Sequence, residues 1–456
     1  MKIKVLMISI LIIALFGVGT KVYIDSRPCV ANGTRICFDE ETGLFTLEQG
    51  ASLKLFLKSQ QQKDWLLEQL KEDIEAYDLD LDILIMDEIS AWDAMYTYDA
   101  DIFYIQKQQA AMIFDELMVI DPLFLKDISF EGIDHFLDVI NMDGFRFLPS
   151  TYQGLLFVAN ETLLSQLGID VSLKDEKNRI IGLTDWEDLI ELTQQWQETT
   201  PVINRKKITS VFPFTVSEPW QFYAFLTSSG WHMFKDLDVS KPDFFSIEFY
   251  HSLLFVKELF ETNWDLTKQN QSEWRYEKAL INMEAPFSLA TEWMDWDAIA
   301  TINKQVYSYS AFPSNQSNQL TPLVKVGGLV IKDNAYPSLS HKIFTLLSSK
   351  ENTQILLDST DLNLVIAHDQ IKEYEMDDIR RQKALAYTYS ISEPMLALEH
   401  DRSILGWDFY LQGHVHEVML KVFNKELTIE KAQVELIEAY DLWYAQHNQN
   451  GDGNGQ

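Results

Sequence analysis

Four groups of residues in this sequence have types and spacing that could do chemistry. The first is "SEPWQFYAFLTSSGWHMFK", residues 217–235, where Glu218 stands two positions before Trp220 with Pro219 between them. An ionised carboxylate accepts hydrogen bonds from hydroxyls, and an indole offers a flat face to C–H groups. Proline fixes φ between the two, so acid and ring keep a set relative direction. Such a pair can grip a polyol, and the same residues also describe a helix start with a core tryptophan. The second group is Cys29 and Cys37 in "CVANGTRIC", the 2 cysteines of the chain. In an exported protein so close a pair predicts a disulfide around Asn32-Gly33. The third, "GHVHE" (413–417), places His414 and His416 two apart, off a common helix face, which predicts solvated positions. The fourth, Asp78, Asp80 and Asp82, reads as the wet face of a half-buried strand rather than a metal cluster. No spacing marks a nucleophile, a carboxylate pair across a scissile bond, or a metal ligand set. No catalytic residue, metal or cofactor is therefore expected.

Bulk properties narrow the classes further. A chain of 456 residues is long for one core and suits two lobes. With 46% hydrophobic and 23% charged residues it is globular rather than disordered. The net charge of −32, from 37 basic and 69 acidic residues, repels phosphate backbones and argues against nucleic acid as a partner. It repels anionic ligands too, unless a basic group is hidden in the site.

The start, "MKIKVLMISILIIALFGVGTK", has Lys2 and Lys4 ahead of an apolar run from Val5 to Val18. That is the pattern of a secretory signal, or of an uncleaved anchor, since Val22, Tyr23 and Ile24 follow Lys21. Cys29 lies behind Ser26-Arg27-Pro28, too late for a lipid-modified cysteine. The expected location is outside the cytoplasm, secreted or anchored to the outer membrane face. The tail "NQNGDGNGQ" (448–456) is polar, Gly-rich and expected to be disordered.

Alternation of strands and helices positions these residues. Strand patterns fall at 53–58, 79–86 and 100–105; helical spacing falls at 63–77, 183–196 and 427–445. Thr184 and Glu187 predict a capping box, and Trp186, Leu189, Ile190, Thr193 and Trp196 one buried face. The order predicts an α/β protein with largely parallel sheets.

Several segments in collinear order resemble the extracytoplasmic solute-binding proteins of ABC sugar importers: "ADIFYIQKQQAAMIFDELMVIDPL" (100–123), "PSTYQGLLFVANETLL" (149–164), "LTDWEDL" (183–189), "SEPWQFYAFLTSSGWHMFK", "KALINMEAPFSLA" (278–290), "VGGLVIKDNAYPSLSHKIFTLLSSKENTQILL" (326–357) and "NKELTIEKA" (424–432). The resemblance spans roughly residues 51–445. It implies a two-lobe α/β fold with a hinge of crossing segments, a monomer that closes on an oligosaccharide and delivers it to ABC transporter membrane subunits. It implies a signal or anchor at 1–24, an extension at 25–50, lobe 1 at 51–150 and 326–368, lobe 2 at 151–325 and 369–447, and a free tail. The family's sugar-binding acid and aromatic fall on Glu218 and Trp220, and its stacking ring after Gly-Pro on Phe287. A crossing-strand acid falls on Gln153. Charged contacts at a strand end fall on Gln108 and Gln109, beside Ile105, and an Asp-Lys pair falls near Gln60 and Gln61. A late stacking tryptophan is matched by Trp407. The first-lobe charges have thus become amides, which both donate and accept hydrogen bonds. A polyamine or other cationic ligand, a ligand-sensing role and a glycoside hydrolase are the competing expectations.

Overall fold

The computed structural model describes residues 36–86, 90–125, 144–208, 210–214, 219–234, 238, 240–263, 275–291, 296–359, 365–366, 374–390 and 405–448. The apolar N-terminal run, Cys29, Glu218 and the tail from 449 lie outside these residues. The chain is a mixed α/β protein, and the strands used below are β1 (Ser52–Leu57), β2 (Asp80–Ile85), β3 (Ile102–Gln106), β4 (Phe147–Asn160), β5 (Phe287–Thr291), β6 (Tyr307–Ser310), β7 (Val324–Ile331) and β8 (Val365–Ile366). It divides into two compact units. Unit 1 holds Met1–Tyr104, Glu116–Ile128 and Val330–Leu356; unit 2 holds Ile105–Asp115, Ser129–Leu329 and Leu357–Gln456.

In unit 1, β1 runs parallel to both β2 and β3, with Leu55 opposite Ile83 and Ile102. Parallel strands are covered on both faces, which is why β1 and β3 carry runs of buried apolar side chains. β2 alternates, with Asp80 and Asp82 exposed and Ile83 and Ile85 buried, as the wet-face reading requires. Asp78 is no part of that strand; it closes the preceding helix in the left-handed conformation at φ 52°. The helix expected over 63–77 is two helices, Gln60–Gln69 and Lys71–Tyr77, meeting at the buried Leu70.

Residues 36–48 pack on unit 1. Buried Glu48 accepts from the backbone N–H groups of Ser338 and Leu339 at 2.8 and 3.0 Å. It neutralises the first turn of the helix Pro337–Leu347, which has no side-chain cap of its own. Phe38, Phe45, Phe124 and His341 stack beside it. Cys37 is buried and disulfide-bonded, while its expected partner Cys29 lies outside the described residues.

In unit 2 the 14-residue β4 is the organising strand. It pairs antiparallel with β5, β6 and β8. Its inward rings meet an aromatic core: Phe157 stacks on Phe212 and Phe287, and Trp186 meets Phe157 edge-on at 6.0 Å. Trp186 is 1% exposed, on the buried face expected of its helix, Trp186–Thr199. The cap differs from expectation. Asp185 is the N-cap, and the Thr184 hydroxyl donates to the Asp185 carboxylate instead of accepting from the helix. A carboxylate next in sequence is the stronger acceptor for that hydroxyl.

His414 opens the helix His414–Phe423 and stacks on Phe409 at 4.6 Å, so it is half-buried rather than solvated. No helix among the described residues is long and apolar enough to cross a membrane.

Candidate functional site

Pro219 is the first residue of the helix Pro219–Leu226, the position where its absent N–H costs nothing. The helix buries Phe222 through Leu226 in the core. Trp220, on the first turn, is half-buried at the margin of that core. The local pattern is therefore both things at once, a helix start and a tryptophan with a remaining free edge. Tyr410 donates its hydroxyl to the Pro219 carbonyl at 2.7 Å. This ties the helix Leu405–Leu411, which bears Trp407, to the Trp220 helix. The side chain of Trp407 lies outside the described residues.

Over the Trp220 ring stands the Lys325 ammonium, 5.5 Å from the centroid. Lys325 is the exposed member of β7, whose other residues are buried. Side chains two apart on a strand share a face, so Lys325 points to the same side as position 327. Position 327 is glycine for a steric reason: a Cβ there would lie 2.4 Å from Thr151 Oγ1 and 3.9 Å from Gln106 Nε2. Thr151 and Gln153, again two apart, share the corresponding face of β4. Gln106 Nε2 donates to Gln153 Oε1 at 3.3 Å. Trp220, Lys325, Thr151, Gln106 and Gln153 thus lie along one face of unit 2.

Gln106 ends β3 and caps the helix Lys107–Met112. Gln109 Oε1 accepts from the Gln106 backbone N–H at 3.0 Å. The other arm of this capping box brings the Gln106 side chain to the Gln109 backbone N–H, but without hydrogen-bond alignment, so the buried Gln106 Oε1 lacks a full donor. An unmatched buried carbonyl costs about 1–3 kcal/mol. Gln108, half-buried in the same turn, makes no bond to the group. Gln153 is exposed.

Phe287 corrects an expectation. It is 3% exposed and stacked on Phe157 at 5.3 Å, with its N–H bonded to the Val211 carbonyl. Alternation along β5 turns its ring into the core, so its flat face is already covered by protein. Sequence reasoning missed Gln106, Thr151 and Lys325. The signal available was Gly327-Gly328 inside a strand pattern, which marks a close backbone or side-chain approach.

Unit 1 has a polar cluster of a different kind at the carboxyl ends of its parallel strands. Gln62 is fully buried; its Oε1 accepts from the Lys58 N–H at 2.9 Å. Its Nε2 donates to Tyr104 Oη at 3.0 Å and Asn352 Oδ1 at 2.8 Å. Lys58 is 7% exposed with its ammonium 4.9 Å from the Tyr104 ring. Burial drives the Lys58 ammonium down to about 7 and pushes the Tyr104 phenol up to about 12. The expected contact positions Gln60 and Gln61 are exposed, outside this buried cluster.

Unit 2 also has a surface concavity of about 400 Å3 between the helices Ile247–Asn263 and Ile429–Asn448. On its rim Lys257 pairs with Glu261, and the Tyr250 hydroxyl donates to Glu430. Among the described residues no group of three or more His, Cys, Asp or Glu side chains is placed to hold a metal ion. Neither a protein-family model nor a curated protein sequence matches this chain.

Proposed function

We propose that the chain is an extracytoplasmic carbohydrate-binding protein, without enzymatic activity, that captures an oligosaccharide and delivers it to the membrane subunits of an ABC importer. The observation that carries this reading is the unit 2 face, which bears a half-buried indole under the Lys325 ammonium and the exposed amide of Gln153. A sugar presents hydroxyls in several directions and flat C–H patches. Its recognition needs aromatic platforms and a few polar groups that both donate and accept. Glutamine amides and a tryptophan edge supply both. The collinear resemblance to sugar-importer binding proteins and the basic, apolar start of the chain support the extracytoplasmic part of the reading.

A cationic ligand is the poorer match, because the Lys325 ammonium over Trp220 would repel it. Titration calorimetry with a panel of oligosaccharides and of polyamines tests the reading. Saturable binding of an oligosaccharide, weakened by Trp220→Ala, is the expected result. Binding of polyamines alone, or turnover of a glycoside, overturns it.

A further inference from the structure

Among the described residues Lys325 stands on this face without a counter-charge; Glu218, two positions before Trp220, lies outside them. Among the described residues its ammonium meets the Trp220 ring and pairs with no carboxylate. This is unexpected in a chain with 69 acidic residues against 37 basic ones.

The hydrogen-bonding balance of the face leans the same way. Lys325 brings three N–H donors and no acceptor. Gln153 accepts one bond from Gln106 at its Oε1, which keeps a second lone pair, and its Nε2 brings two N–H donors. Gln106 Oε1 is turned into its own capping turn and buried, so it offers the ligand no acceptor. A neutral polyol gives and takes hydrogen bonds about equally, whereas an ionised carboxylate only accepts. The described residues of the face are therefore donor-rich, which suits a ligand with at least one carboxylate among its hydroxyls.

Geometry fixes where that carboxylate would sit. Residues two apart on a strand are separated by roughly 7 Å, about the span of one sugar ring. Lys325 and Gly327, whose missing Cβ would lie 3.9 Å from Gln106 Nε2, are separated by this interval along β7. An anionic group at Lys325 and the hydroxyls of the adjoining ring at the amides would fit one chain of rings. The cation–π contact holds the ammonium in place before the ligand arrives.

We infer that the ligand of this face is an acidic oligosaccharide, one containing uronic acid residues, with Lys325 as the counter-ion of its carboxylate and Trp220 as the platform for a ring. The inference rests on the carbohydrate-binding reading above and names its substrate class. It also accounts for selectivity: a net charge of −32 repels free anions at long range, so an acidic ligand needs a local cation to be held.

The test is calorimetric titration with uronic-acid oligosaccharides, each matched to its carboxyl-reduced counterpart. The wild-type protein is expected to bind at least one acidic member about tenfold or more tightly than its reduced partner, the size of one charge-assisted hydrogen bond. Lys325→Gln should abolish that difference, lowering affinity for the acidic partner about tenfold or more while affinity for the reduced partner falls by much less. Lys325→Arg should restore the preference. Equal affinity for acidic and reduced partners, or a preference that survives Lys325→Gln, overturns the acidic-ligand inference and leaves the carbohydrate reading standing. Binding of no member of either series, acidic or reduced, overturns both.

Discussion

Units 1 and 2 each gather glutamines where a strand ends, and they use them in opposite ways. In unit 1 both arms of the Gln62 amide are matched, to Lys58, Tyr104 and Asn352, and the side chain has no exposed surface. In unit 2 Gln106 and Gln153 share one bond of 3.3 Å, Gln153 is exposed, and Gln106 Oε1 lacks a full donor. The same side-chain chemistry is a lock in one place and an open hand in the other. What separates them is satisfaction: a closed network holds elements in register, whereas an exposed amide on a face with an indole and a cation is available to a ligand.

The contrast can be broken or sharpened by substitution. The largest effect is expected at Lys58, whose folded-state value is held near 7, below the ordinary 10.5. Between these values the unfolded chain binds more protons, so the wild-type protein loses stability as pH falls through that window and no more below it. The stability of Lys58→Met relative to wild type should therefore rise by about 3–5 kcal/mol as pH falls from about 10.5 to about 7, and stay level below that. Urea melts of both proteins across that range measure the difference. A pH-independent gap would mean that the ammonium is not desolvated.

Gln62→Leu comes next. It strands the Lys58 N–H and Asn352 Oδ1 in a buried site, at a cost of about 3 kcal/mol. Denaturant melts should register the full loss while ligand titration registers none. A fall in affinity matching the fall in stability would erase the distinction between lock and hand.

Trp220→Ala is the mirror experiment. Losing the indole platform should weaken ligand binding by about 1–3 kcal/mol. Its melting temperature should shift less than that of Gln62→Leu. If stability falls while affinity is kept, Trp220 belongs to the core alone.

The smallest effect is expected at Gln153→Ala. An exposed residue with one long hydrogen bond should change stability by no more than about 0.5 kcal/mol. Affinity for the oligosaccharide should fall severalfold, measured in the same titrations.

Much of the scaffold was legible because it follows simple periods. Asp80 and Asp82 alternate with Leu81 and Ile83 on a strand with one wet face, and Trp186, Leu189, Ile190, Thr193 and Trp196 repeat at helical spacing. The break at Leu70 was not legible, because nothing in its neighbours lacks helix propensity. Nor was the antiparallel ladder around β4, since pairing direction depends on contacts distant in sequence.

The site divides in the same manner. Trp220 was legible because proline and tryptophan at a helix start are a local pattern. Phe287 was placed on the wrong face, because an aromatic after proline does not reveal which way its strand turns. Lys325 was invisible, since its meaning comes from meeting a ring far away along the chain.

The tight fit of Gly327 against Thr151 bears on how this protein can vary over descent. Any side chain at 327 would collide with the Thr151 hydroxyl, a rigid β-branched neighbour rather than a flexible one. A change at 327 becomes tolerable only after 151 has shrunk, so the order of the two steps is set. In a lineage of related chains these two positions should drift as a pair, and a relative with a larger residue at 327 should already carry a smaller one at 151.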